Sequence, residues 1–193
     1  MSLAQRSTFL LCLITFLSVS AHATDSATTT HANAPLATIR ALDVQRYMGV
    51  WYEIARYPAW FQSKCASQSQ AEYALQADGR VRVINRCRLE NGEPSEAQGT
   101  ARQIGGPGSA KLEVRFAPAW LSFLPFVWGD YWVIDLDPEY QLVAVSEPAR
   151  EYLWILSRTP SVDEARLEAL LGRLEAMGFD RGRLLYTRHD RAP

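Results

Sequence analysis

The stretch from Tyr47 to Pro58, "YMGVWYEIARYP", decides the reading of the fold. Gly49 stands two residues before Trp51, and strand-like alternation begins at once. A tryptophan at the start of a first strand needs something large to pack against. Further along, "AEYAL" and "RVRVINRC" flank Asp78-Gly79, a pair favoured in two-residue hairpin turns. Ala71, Tyr73 and Leu75 share one face of the first run. Val81, Val83 and Cys87 share one face of the second, with Arg82, Arg86 and Arg88 opposite. "SEAQGTARQI" sets Ala97, Gly99 and Ala101 on one side, and "KLEVRF" alternates Leu112, Val114 and Phe116 against Lys111, Glu113 and Arg115. "DYWVIDL", "QLVAVSE" and "EYLWILSR" bring the strands, with "VWYEIAR", to eight.

Eight sequential strands with short links predict an all-β fold: an eight-stranded antiparallel up-and-down barrel, which leaves no exposed sheet edge. The inward small residues Ala97, Gly99 and Ala101 predict space inside it. "SVDEARLEALLGRLEAMGF" then predicts a helix. Ser161 and Glu164 have capping-box spacing, Leu167, Leu170, Leu171 and Leu174 form an apolar stripe, and Gly178 ends it. The stripe must be buried, so this C-terminal α-helix is expected to pack on the outside of the barrel as a brace.

In a closed barrel the start of the first strand lies beside the end of the eighth. Arg158, in "YLWILSRTP", is then positioned to lay its guanidinium over Trp51. Such a contact is worth about 1–2 kcal/mol when desolvated. Gly49 lets the backbone pass close beneath.

These residues resemble the lipocalin family, and within it the bacterial outer-membrane branch. Gly49-Val50-Trp51 matches the family's G-x-W motif, and Arg158 matches the arginine near the end of its last strand. The family's Thr-Asp-Tyr before the seventh strand falls on Leu136-Asp137-Pro138, where only Asp137 is kept. The resemblance runs from about Ala41 to Tyr186 and implies a barrel that carries a small hydrophobic ligand.

Arg6, the apolar run Phe9–Val19 and the small-x-small site Ala21-His22-Ala23 read as a secretory signal peptide over residues 1–23. The polar "TDSATTTHANA" after it disfavours a retained anchor helix. Residues 24–38 read as a flexible leader and 39–190 as the barrel domain. Cys12 lies inside the apolar run and not behind a lipobox, so the expected location is the periplasm without a lipid anchor, with outer-membrane association a further option. Hydrophobic residues at 48% and charged residues at 21% favour a packed core over disorder. A formal charge of −1, made slightly more acidic by loss of Arg6, points away from nucleic acid.

Cys65 and Cys87 remain as an even pair in an exported chain, which favours a disulfide. Simple register opposes it. A two-residue turn at Asp78-Gly79 places Cys87 opposite Gln70, roughly 17 Å along the strand from Cys65, beyond a disulfide's reach. A bulge or sharp bend at the start of the second strand would reconcile the two.

Connectivity places the first, third, fifth and seventh links at the open end. The first carries Trp60 and Phe61; the fifth, Ala117–Asp130, carries Trp120, Phe123, Phe126 and Trp128. These aromatics predict a ligand gate that touches lipid through Trp60, Phe61, Trp120, Phe123 and Phe126. The competing expectation is that the longer loop folds inward and shuts the barrel. Candidate ligand-binding residues on the inward faces are Tyr73, Val83, Val114, Phe116, Trp128, Tyr131, Tyr152 and Trp154. They suit an acyl chain, with tyrosines or an arginine meeting a polar group. Glu53 and Asp135 also point inward by parity.

Catalytic patterns are sparse. After the signal peptide the histidines are His31 and His189, neither on a strand. There is no Ser-His-Asp set, no H-E-x-x-H, no phosphate loop and no metal-ligand spacing. The expectation is a carrier without cofactor or metal. A lipid- or pigment-modifying enzyme on the same scaffold, and a structural protein with a filled barrel, are the alternatives.

Overall fold

The computed structural model describes residues 34–190. The signal peptide and most of the leader lie outside them. Eight strands run β1 (Gly49–Arg56), β2 (Ser67–Leu75), β3 (Val81–Arg88), β4 (Pro94–Gln103), β5 (Lys111–Arg115), β6 (Gly129–Leu136), β7 (Leu142–Ser146) and β8 (Leu153–Ser157). Each pairs antiparallel with the next, and β1 pairs with both β2 and β8, so the barrel is closed. A two-residue strand, β9 (Leu185–Tyr186), pairs with Ala55 and Arg56, beyond the part of β1 that pairs with β2.

A four-residue helix, α1 (Val44–Tyr47), precedes β1, and Asp43 caps it by accepting from the Arg46 amide. The second helix, α2 (Glu164–Ala176), lies outside the barrel. Its Leu170, Leu171 and Leu174 are buried against Ile54, Ala55, Ile134, Ala144, Leu153 and Ile155. Its N-cap is Asp163, not Ser161: the Asp163 carboxylate accepts from the Arg166 amide. An ionised oxygen directly before the first helical residue displaces the serine. Leu36, placed by the sequence in the leader, is buried in this same outer cluster.

Two separate apolar clusters result. One lies between α2 and the outer wall; the other lies inside the barrel. A bulge between Val133 and Asp135 divides β6 between them. Val133 belongs to the interior and Ile134 to the helix side. The bulge also overturns the parity expectation for Asp135. Its carboxylate points out to α2 and takes a two-pronged contact from Arg173, at 2.7 and 2.9 Å.

The β2–β3 turn is longer than the two-residue turn that Asp78-Gly79 suggests. Gln76 donates to the Arg80 carbonyl, and Gly79 adopts φ +80°. Tyr73 therefore pairs with Val83, and the inward faces of the two strands agree.

Candidate ligand-binding site

The floor is built first by the chain. Trp51 is fully buried, and its indole N–H donates to the Tyr47 carbonyl at 2.8 Å. The Arg158 guanidinium lies 4.0 Å from the Trp51 ring. It also donates to the carbonyls of Val50 (2.9 Å), Arg46 (2.8 Å) and Tyr140 (3.3 Å). Gly49 has φ +98°, and a Cβ there would stand 3.2 Å from Arg158 Nη1. Both the conformation and the close approach call for glycine. Asp137 accepts from the Gln141 amide and pairs with Arg166 of α2 at 2.8 Å, tying the β6–β7 turn to the brace.

Above this floor is a cavity of about 810 Å³. That lies within the roughly 300–1,000 Å³ range of small-molecule sites, and it removes the filled-barrel alternative. Tyr73, Val83, Val114, Phe116, Trp128, Tyr131, Tyr152 and Trp154 all border it. Trp128 also anchors the long loop after β5. Its ring lies 4.1 Å from the Arg102 guanidinium and 5.2 Å from that of Arg115, and its N–H donates to the Ser122 carbonyl. Ala97 and Ala101 leave space, as their size implies. The space at Gly99 is taken by the Phe116 ring, which would lie 2.8 Å from a Cβ at that position.

β5 ends at Arg115, opposite Thr100, so Pro94–Gly99 pair with β3 alone. Ala97 faces the cavity and is nonetheless exposed. Along Pro94–Gly99 the wall is therefore held by strand pairing on one side only.

The mouth is aromatic. Trp120, Phe123 and Phe126 are 72, 75 and 81% exposed, and Trp60 is 80% exposed. The long loop, with two 3₁₀ turns (Ala119–Leu121 and Pro125–Val127), does not fold inward. Phe61 differs from these four. It packs on Tyr152 (5.4 Å) and Trp154 (6.2 Å) and is part of the wall as well as the rim.

Cys65 and Cys87 form a disulfide, with Cα atoms 5.6 Å apart. The bend is a break in register between Ser67 and Gln70, where Gln68 adopts φ +56°. The longer turn moves the pairing by one position, so that Gln70 faces Arg86, and the bulge folds the strand start over β3.

Sequence reasoning missed two sets of contacts. Glu53 is buried on the cavity lining, on the inward side that parity implies, and its partners are the surprise. Its carboxylate accepts from Gln62 (2.6 Å) and Thr187 and pairs with Arg56 (3.3 Å). Gln62 in turn accepts from the Trp154 N–H at 3.2 Å. Gln62 lies in a loop and Thr187 in the C-terminal tail, so no strand periodicity points to them. The second set centres on Tyr47, whose hydroxyl meets that of Tyr131 at 2.8 Å; Tyr131 meets Tyr73 at 3.0 Å. Tyr47 sits in α1, outside every strand pattern.

Burial pushes all three of these phenols up: Tyr73 to about 12, Tyr47 and Tyr131 well above their ordinary 10. A raised folded-state pKa is stabilising below the unfolded value and is lost as pH rises through the folded value. Stability is therefore expected to hold up to pH 10 and fall steeply toward 12. Tyrosinate absorbance should rise together with unfolding. Ionisation of these tyrosines near pH 10 in the folded protein would contradict this.

A closed barrel, hollow above a stoppered floor and rimmed by apolar side chains, defines a class: barrels that enclose a small hydrophobic ligand. Comparison with known proteins makes the class specific. The model of the lipocalin-like domain family matches residues 42–189, and the chain belongs to the lipocalin family. It is 39% identical over 157 residues to temperature-induced lipocalin-1 of Arabidopsis thaliana, covering 80% of this chain and 83% of that one. It is 40% identical over 147 residues to the outer membrane lipoprotein Blc of Vibrio cholerae, covering 75% and 81%. Among solved structures, insecticyanin of Manduca sexta superposes with a TM-score of 0.62 at 16% identity, over 80% of this chain and 84% of that one, which shows the shared fold.

Proposed function

We propose that the protein is a periplasmic carrier holding one fatty acid, lysophospholipid or similar amphiphile in its barrel, in envelope lipid traffic or repair. The observation that carries this is the open cavity of about 810 Å³ walled by Val83, Val114, Phe116, Tyr152 and Trp154. Each buried methylene contributes about 0.8 kcal/mol, so a mid-length chain binds without any chemistry. Similarity to a protein named as an outer membrane lipoprotein supports an envelope location. Among the described residues, no group of three or more His, Cys, Asp or Glu side chains could hold a metal ion.

The test is native mass spectrometry of protein taken from its own periplasm. One unchanged lipid per barrel is the expected result. An empty barrel together with no saturable tryptophan fluorescence change on adding fatty acid would remove the carrier reading, and turnover of added lysolipid would favour the enzyme.

The exposed aromatics at the mouth support transient membrane contact. Replacing Trp120, Phe123 and Phe126 by serine removes large interfacial side chains without touching the cavity lining or the floor. Vesicle binding is expected to fall at least about tenfold, from the loss of buried apolar area. Binding of a soluble fatty acid should persist. Unchanged co-sedimentation with vesicles would exclude this contact.

A further inference from the structure

The three tyrosines come from different walls. Tyr47 is on α1, Tyr73 on β2 and Tyr131 on β6. Four steps around the barrel separate β2 from β6. Their hydroxyls nevertheless meet, so the side chains bridge the lumen as a crossbar, with the Tyr47 ring 5.0 Å from the Trp51 plug. All three residues border the cavity.

Proton counting makes this crossbar incomplete. Three phenols carry three protons, and two oxygen–oxygen contacts consume two of them. Whichever way the hydroxyls rotate, one O–H is left without an acceptor. Among the described residues no other group bonds to these three oxygens. A ligand group that displaces water from this proton without accepting it forfeits about 1–3 kcal/mol.

We propose that the crossbar is a subsite for a neutral oxygen at the buried end of the ligand, so that the preferred cargo is a hydrophobe oxygenated near its inner end. A ketone, ester, ether or alcohol oxygen accepts the spare proton. A plain methyl terminus does not.

The site selects against a charged group in the same position. Arg158, whose charge is felt by Tyr47 and Tyr73, is already held by three carbonyls and the Trp51 ring and is not on the lining. Arg86, on the lining, is paired with Glu72 and Glu96. The direction in which burial moves the phenols reports the same thing: negative charge is poorly hosted here. A carboxylate or phosphate head belongs at the mouth, where it stays in water; Lys64 stands there, with Asp130, Glu147 and Glu151 also on the lining. The ligand is then polar at both ends, charged outside and neutral inside.

This subsite rests on the carrier reading, and the experiment separates the two. Binding of dodecanoic, tetradecanoic and hexadecanoic acids is compared with that of their (ω−1)-oxo derivatives by calorimetry. Where the chain length brings the ketone to the crossbar, the oxo acid is expected to bind about fivefold more tightly, the size of one net hydrogen bond. Tyr47→Phe or Tyr73→Phe leaves two hydroxyls, one contact and one spare proton; Tyr131→Phe removes the middle of the chain and leaves two separate hydroxyls, each with a spare proton. Each single variant should therefore retain the preference. The triple phenylalanine variant should bind each oxo acid no more tightly than its parent, whatever its affinity for the parent; a preference that survives the triple change would overturn the subsite. Equal affinity for oxo and parent acids at every length overturns the subsite and leaves the carrier standing. No saturable binding of either series overturns both.

A second readout needs no variant. The ketone carbonyl stretch of the bound oxo acid should lie below its frequency in alkane solvent. An unshifted band would exclude the hydrogen bond.

Discussion

Trp51→Ala is expected to destabilise the barrel by about 3–5 kcal/mol, the range for truncating a fully buried large aromatic. The side chain is 0% exposed and lies on the seam where β1 meets β8. Its loss opens a hole in the floor and removes the face on which Arg158 rests. The Arg158 guanidinium also bonds to carbonyls from α1, β1 and the β6–β7 turn, so it ties three segments together. Arg158→Lys should be destabilising too, since an ammonium lacks the planar fork that stacks on a ring while reaching several acceptors. Urea unfolding followed by circular dichroism measures both. A loss below about 1 kcal/mol for Trp51→Ala would mean that the floor closes without its plug.

Removing the disulfide is the second large effect. Cys65 and Cys87 are 22 residues apart, and closing a loop of that length is worth about 3 kcal/mol through the unfolded chain. The paired variant Cys65→Ser/Cys87→Ser should lose stability of that order against the oxidised protein. The loss is expected to be local as well. The bridge fixes the start of β2 and the end of the first mouth loop, where Trp60 and Phe61 sit. Amide hydrogen exchange should accelerate around residues 60–70 while the floor near Trp51 stays protected. Equal exchange everywhere, with no change in unfolding midpoint, would show that the bulge alone holds the bend.

The strand pattern, the G-x-W motif and Arg158 were readable because each depends on spacing along the chain. Period-two alternation tells which side chains share a face, and closure of an eight-stranded barrel then places strand one beside strand eight. The inward faces of Tyr73, Val83, Val114, Phe116, Tyr152 and Trp154 follow from the same arithmetic. It breaks where the chain departs from period two. The β2–β3 turn is longer than Asp78-Gly79 suggests, and the bulge beside Asp135 turns that carboxylate from the interior to Arg173. Local spacing named Ser161 as the helix cap, while the backbone geometry selects Asp163.

By itself, then, the sequence determined the barrel and its bracing helix, because repeating local periodicities impose both; closure of eight strands then placed the stopper, and loop composition supplied the aromatic character of the rim. Tertiary structure alone decided that Cys65 reaches Cys87, that Glu53 finds its partners in a loop and the tail, and that three tyrosines from separate walls join across the lumen. Those contacts link residues far apart in the chain. Their distances depend on bulges, on turn lengths and on the curvature of a closed sheet, and none of these leaves a periodic mark in the order of the amino acids.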